Sequence, residues 1–369
     1  MSIVIFIIML LILVIVHEFG HFWTAKKFGV RVDEFGFGFP PKLFGYKWRE
    51  TEYTFNLLPL GGFVKIFGEN PDDENTLGPD KDRSLVNKAK WKQAIVLFAG
   101  VFMNFLLAWL LFSFGFISGL PTAVGGAIKG YEVTDVHLVV VAVSPKSPAE
   151  NAGLKAGDKI ISVSAIKSND SLLDINQGSL KSFVLSHSTE EIDIGYIRGD
   201  DSEVPLVAKM IPSVKDTGGD PVIGISMDAI GVLKLPVFSA FYEGMKLTLN
   251  SVKTTFLGLW GLISGGVRGE GDLSQVTGPV GLVSVVGDAY KLGLSYLLSF
   301  AALISVNLAV INLVPFPALD GGRLLFLLIE KIKGSRMNSK VINVINIVGF
   351  SVLILFMVLV TYHDVVKLF

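Results

Sequence analysis

The sequence predicts a multi-spanning α-helical membrane protein with about four transmembrane helices and one inserted extracytoplasmic α+β domain. Three observations predict it. Of the 369 residues, 51% are hydrophobic and only 18% are charged, whereas ordinary soluble domains are about a quarter charged. Four apolar runs are about long enough to cross a bilayer. Between Gly125 and Ile230 the hydrophobic period switches to two, the spacing of strands. The 32 basic residues are balanced by 33 acidic ones, so the chain lacks the basic surface that nucleic-acid binding needs. It has no cysteine, so any part outside the cytoplasm must hold itself by packing.

The first run covers 3–16, meets His17 and Glu18, and continues to Ala25. It lacks the basic start and small-x-small cleavage site of a signal peptide. The second run covers 94–120, the third 294–314 and the fourth 341–362. Lys and Arg set the orientation. Lys26, Lys27 and Arg31 follow the first run, Lys88, Lys90 and Lys92 precede the second, and Arg323, Lys331, Lys333, Arg336 and Lys340 lie between the third and fourth. The positive-inside rule places both loops in the cytoplasm of a multi-pass inner-membrane protein, with the N-terminus and the inserted domain outside. The stretch 238–267 is apolar but broken by Glu243, Lys246 and Lys253, and reads as an amphipathic helix at the outer interface. If it spanned instead, the last two runs would reverse. The expected domains are therefore an N-terminal membrane part (1–120), the inserted domain (121–232), an amphipathic interfacial region (233–293) and a C-terminal membrane part (294–369).

Within the insert, 138–143 and 159–163 read as strands, and 147–152 and 179–186 as helices. The runs 191–198 and 203–210 flank Gly199-Asp200-Asp201, a hairpin signal. The segment "VSPKSPAENAGLKAGDKIISV" (143–163) resembles the signature of bacterial PDZ domains, in which Gly153 and Gly157 shape the turn before a strand begun by Asp158. "VIGISM" (222–227) is similar to the carboxylate-binding loop of the circularly permuted form, where Gly224 lets the backbone approach a peptide C-terminus. Capture would be strand addition to a sheet edge. A domain serving only as a gate or spacer fits the same residues.

The chemistry starts in the first apolar run. His17-Glu18-Phe19-Gly20-His21 matches H-E-x-x-H. On a helix, positions i and i+4 share a face, so both imidazoles reach one metal ion while Glu18 reaches a water beside it. An acidic side chain inside an apolar span costs roughly 2.5–3.5 kcal/mol on insertion scales, so such groups are functional by default. A third ligand has to come from far along the chain. The position six residues beyond His21 holds Lys27, and Glu34 lies in a Gly/Phe-rich stretch that does not read as a helix. The end of the third run, "NLVPFPALDGG" (312–322), offers Asp320. Pro315 and Pro317 break the helix and Gly321 and Gly322 let the backbone turn, so this carboxylate can point back into the bundle at the depth of His17 and His21.

Together the two motifs resemble the site-2 protease family of intramembrane zinc metalloproteases, most closely its regulator-of-sigma-E protease group. "FGFGFP" (35–40), "PLGGFVKIFGE" (59–69) and "GPVG" (278–281) extend the likeness over nearly the whole chain. "FAGVFMNF" (98–105) fits too, although Val101 stands where the family has proline, which makes the start of the second span less predictable. The chain carries one PDZ-like segment where the best-known relatives have two.

The resemblance implies that His17, His21 and Asp320 hold Zn²⁺ and that Glu18 is the general base for a metal-activated water attacking a peptide carbonyl. It implies an intramembrane endopeptidase of regulated intramembrane proteolysis, acting on single-span membrane proteins such as anti-sigma factors or remnant signal peptides. Asn312 and Asn307 could donate hydrogen bonds to an oxyanion or to substrate backbone, or be helix-packing amides. Segments 35–40 and 59–64, flanking the alternating run 47–55, suggest a hairpin dipping towards the membrane, with Gly61 and Gly62 on an edge that holds unwound substrate. Stretches 68–92 and 265–281 read as loops. Two other classes stay open on the residues: a silent membrane scaffold whose PDZ-like domain binds protein tails, and a membrane-anchored zinc protease acting on soluble substrates.

Overall fold

A computed structural model of the chain describes residues 1–70, 73–126, 128–199, 205–213, 220–269 and 278–366. Among the described residues, four helices are long and apolar enough to cross a membrane: Ser2–Lys27, Lys90–Ser118, Leu294–Leu313 and Ser339–Val366. They coincide with the four apolar runs to within a few residues. The chain divides into two compact units, Met1–Ser113 with Phe241–Gly287 and Phe300–Phe369, and Phe114–Ala240 with Asp288–Ser299.

In the first unit, α1 (Ser2–Lys27) leads into two long strands, β1 (Val32–Trp48) and β2 (Thr51–Ile66), paired antiparallel. The expected hairpin is there. Its turn closes at Trp48↔Thr51, and Arg49 takes a positive φ of 59°. Both strands bend, so that Phe35 has Val64 on one side and Tyr53 on the other. Ala25, Val30, Val32, Ile66, Leu85 and Val96 form a small core beneath the hairpin base. Its far part presents Leu43, Phe44, Tyr46, Trp48, Leu57 and Leu58 exposed, an apolar edge that suits lipid or protein rather than water.

The described part of 68–92 is folded rather than a loose loop. It contains the short α2 (Asp73–Leu77) and two 3₁₀ turns. Leu85 and Val86 are buried, and Arg31 pairs with Asp80 while lying 3.6 Å from the Phe67 ring centroid. Lys26 and Arg83 both pair with Glu50. Burial alone would raise that carboxyl, but the two cations outweigh it and hold it below the usual carboxylate range.

Helix α3 (Lys90–Ser118) runs unbroken through Val101 and packs closely on α1. A Cβ on Gly20 would lie 2.4 Å from the Ala99 carbonyl oxygen, so no larger residue fits there. The stretch expected to be an amphipathic helix is helical throughout.

Two short elements of the second unit come next in chain order, α4 (Pro148–Asn151), capped by the Ser147 hydroxyl, and α5 (Gln177–Ser186), closed by an Asn176–Ser179 capping box. α6 (Val237–Arg268) then returns to the first unit. Its Phe241 carbonyl accepts the Trp109 indole N–H at 2.8 Å, and Leu247, Val252 and Leu259 join a core with Ala108, Phe112, Ala302, Val306 and Val310. After α7 (Pro279–Lys291), α8 (Leu294–Leu313) supplies the last three of those core residues. Helix α9 (Asp320–Lys333) follows the proline break and ends on Gly334 in the left-handed conformation, and α10 (Ser339–Val366) closes the chain. Of the run 265–281, residues 270–277 lie outside those described.

Among its described residues, the second unit is built on one antiparallel sheet of seven strands. They are β3 (Leu120–Ala123), β4 (Thr134–Val143), β5 (Lys159–Ala165), β6 (Asp170–Ser171), β7 (Ile192–Ile197), β8 (Leu206–Met210) and β9 (Ile225–Leu233), in spatial order β3-β9-β4-β5-β7-β8 with β6 on β5. Leu138, Val140, Ile160, Val163, Ile192 and Ile194 turn inward against Leu180, Phe183 and Val184 of α5. The β7–β8 hairpin forms, pairing Ile192 with Met210 and Tyr196 with Leu206, and residues 200–204 of its connection lie outside those described. Asp158 does not open β5 as a strand residue. It is fully buried and held by both arms of Arg198 at 2.7 Å.

Candidate metal centre

Three distant residues converge in the first unit. His17 and His21 face the same way from α1, as i,i+4 spacing requires, and both are buried. Asp320 is the first residue of α9, where a carboxylate is favoured by the helix dipole. The chain reaches that point only because glycines allow it. A Cβ on Gly321 would lie 2.2 Å from the Val314 oxygen, and one on Gly322 would lie 2.2 Å from the Phe316 oxygen. Ala318, at φ 72°, completes the reversal and donates its N–H to the Asn346 side chain.

His17 Nε2 is 3.1 Å and His21 Nε2 3.3 Å from Asp320 Oδ2, and the two Nε2 atoms are 3.2 Å apart. A tetrahedral zinc site with bonds of roughly 2.0–2.1 Å has ligand–ligand edges of about 3.3 Å. The three atoms therefore already occupy one face of such a tetrahedron. Among the described residues no fourth ligand joins them, which leaves the last corner for a non-protein ligand. The donor chemistry also fits: two neutral imidazoles and one carboxylate suit a borderline cation and leave the loaded site positive.

The surroundings fix each of these side chains. His21 Nδ1–H donates to the Val96 carbonyl at 2.8 Å, which leaves Nε2 free to bind. His17 Nδ1 lies 3.2 Å from the Asn104 side chain. Gly100 makes room for both rings, since a Cβ there would lie 2.3 Å from His21 Nε2 and 2.8 Å from His17 Nε2. The Val64 backbone N–H of β2 faces the Glu18 carboxylate. Gly62 sits at the same place, where an added Cβ would be 3.8 Å from Glu18 Cγ and 3.1 Å from the Gly36 oxygen. The hairpin thus lies against the helix face that carries the carboxylate. Three residues beyond Asp320, Arg323 pairs with Glu69, tying α9 to the segment that leaves β2.

The other expected site residues are placed differently. Asn307 accepts from the Thr255 hydroxyl of α6 at 2.9 Å, a helix-packing contact. Asn312 is half-buried and, among the described residues, has no hydrogen-bond partner. Gly61 packs under the Phe39 ring. Gly224 belongs to the second unit, at φ 82° in the turn that enters β9. Gly100, Asn104, Val64 and the Arg323–Glu69 pair were not singled out from sequence. Only Asn104 carried a readable signal, a lone amide within an apolar span.

Known proteins resemble this chain over nearly its whole length. The model of peptidase family M50 matches residues 5–356. A protein of Clostridium perfringens named as a zinc metalloprotease is 36% identical over 355 residues, covering 96% of this chain and 95% of the relative. The zinc metalloprotease RasP of Oceanobacillus iheyensis is 29% identical over 451 residues, covering 100% and 99%. The protease RseP of Yersinia pestis is 30% identical over 461 residues, again covering 100% and 99%. Both of these alignments are longer than the 369 residues here, so these relatives carry inserted sequence.

Proposed function

The chain belongs to peptidase family M50, the site-2 protease family of membrane zinc metalloproteases, and from that membership we propose that it cuts the membrane spans of single-span proteins within the bilayer. Zn²⁺ is its cofactor, as the names of its relatives indicate. The observation that carries the finer reading is the convergence of His17 and His21, from a spanning helix, with Asp320, at the start of α9, onto one tetrahedral face. When bound there, zinc lowers the pKa of a water to ~7 and polarises a carbonyl.

The chain's own residues do the rest. His17, His21 and Asp320 hold the cation and keep one corner open. Glu18, next to the histidines on the same helix, accepts the proton of the attacking water and delivers it to the departing amide nitrogen. The Val64 N–H faces that carboxylate. A helical substrate has its peptide groups bonded internally, so it must be unwound before attack. The 62–66 part of β2 pairs with β1 on one side and has Glu18 beside it, so its other edge is suited to hold an extended substrate by backbone pairing. Asn312, unpartnered one turn before the proline break, remains a candidate donor to substrate.

We read the second unit as a PDZ domain outside the cytoplasm. A groove of about 650 Å³ runs between α5 and the start of β9, with Leu180, Val184 and Ile223 among its walls. Among the described residues, the Ile223 and Gly224 N–H groups have no hydrogen-bond partner, while their carbonyls accept from Ala149 and Ser144. Two free donors over an apolar floor suit a peptide carboxylate. Segments 26–92 and 323–340 face the cytoplasm in this reading, and α6 enters the bundle from the outer side and packs along α3 and α8 as far as the Thr255–Asn307 contact, rather than lying only at the interface. The deciding experiment compares wild type with Glu18→Gln in detergent. The variant should keep stoichiometric zinc and lose cleavage of a single-span substrate, and retained cleavage would overturn the assignment of the base.

A further inference from the structure

The metal reading leaves one nitrogen of His17 to be explained. Both imidazoles turn Nε2 to Asp320 and Nδ1 away from it. A neutral imidazole that gives its Nε2 lone pair to a cation carries its proton on Nδ1, and a buried N–H needs an acceptor. For His21 that acceptor is the Val96 carbonyl. For His17 the group facing Nδ1 is the side-chain amide of Asn104, 3.2 Å away.

Asn104 is fully buried in α3, within an apolar span, where an amide is costly unless it has work. Its position is fixed by a second contact: the Asn104 main-chain oxygen accepts from the Ser305 hydroxyl of α8 at 2.8 Å. Three helices therefore meet at one level beside His17. The carboxamide is placed with Nδ2 towards the ring, and its Oδ1 has no partner among the described residues. With Nδ2 as donor, His17 Nδ1 must accept, its proton moves to Nε2, and no lone pair faces Asp320. A half-turn of the amide exchanges oxygen and nitrogen at nearly the same positions. It then presents an acceptor to Nδ1–H and frees Nε2. Each orientation leaves one amide atom unpartnered, so hydrogen-bond counting does not choose between them. Cation binding does, because only the oxygen-facing form matches the tautomer that binds.

We propose that Asn104 is a positioning residue of the metal centre, its carboxamide oxygen accepting the Nδ1 proton of His17 and so aiming Nε2 at the cation. The proposal rests on the reading of His17, His21 and Asp320 as ligands.

The test is zinc affinity by competition with a chelator, for purified wild type, Asn104→Leu, Asn104→Asp and His17→Ala. Asn104→Leu keeps the volume but offers no acceptor, and should bind zinc 10- to 100-fold more weakly. Asn104→Asp supplies an oxygen only, and should bind within a few-fold of wild type. A packing role predicts the reverse order, since leucine suits an apolar span and a buried carboxylate does not. Wild-type affinity in Asn104→Leu, or equal loss in both variants, overturns the proposal. If Asn104→Leu fails to fold, imidazole ¹⁵N spectra of zinc-loaded wild type decide: His17 ligated through Nε2 and protonated on Nδ1 supports it, and ligation through Nδ1 overturns it. His17→Ala separates the two levels. Wild-type zinc affinity in that variant sinks the ligand set itself, whereas its loss beside a normal Asn104→Leu sinks only the role of Asn104.

Discussion

Gly100 shows how little space the ligands leave. It sits in the middle of a long helix, where alanine would ordinarily stabilise by about 1 kcal/mol. Here the added methyl would fall 2.3 Å from His21 Nε2, inside any permitted contact. We expect Gly100→Ala to reverse the sign, costing about 1–3 kcal/mol of stability as an overpacked site does, and to lower zinc occupancy, measured by metal analysis of the purified variant. A control at Gly258, where a Cβ would meet nothing within 4 Å, should be neutral or slightly stabilising in thermal unfolding.

At the scale of elements, the hairpin and α9 decide whether the ligands face a usable space. Valine at Gly62 would press on the Gly36 carbonyl and approach Glu18, while valine at Gly61 would displace the Phe39 ring. Either change should impair cleavage of a single-span substrate while leaving zinc content intact. Normal turnover in both variants would remove the hairpin from the mechanism. The hairpin was legible from its glycines and its alternating run, and so were the four spans, because each of those signals is local in sequence. Helix α9 was not. Its start follows two prolines and is set by the close approach of Gly321 and Gly322 to carbonyls of the preceding turn. The environment of His17 was also hidden, since Asn104 lies 87 residues away and a single amide in an apolar run does not name its partner. The i,i+4 histidines needed only helical periodicity. Asp320, 303 residues from His17, needed the motif around it as well.

For the molecule as a whole, the division into two compact units means that damage in one should be separable from chemistry in the other. The Asp158–Arg198 pair is the sharpest probe. Asp158 is completely buried, so removing its partner leaves an uncompensated charge, a change that typically costs 3–5 kcal/mol. Arg198→Met should lower the unfolding midpoint of the second unit, followed by proteolysis at fragments from 114–240, with zinc content unchanged. Loss of zinc in that variant would show that the units do not behave independently.

The two imidazoles emerge near the beginning of synthesis and the carboxylate near its end. A nascent or truncated polypeptide that stops short of Asp320 can enter the lipid with its first helices in place and still lack a complete cation grip. On the proposed ligand set, such a product would carry both imidazoles without the carboxylate that completes the site.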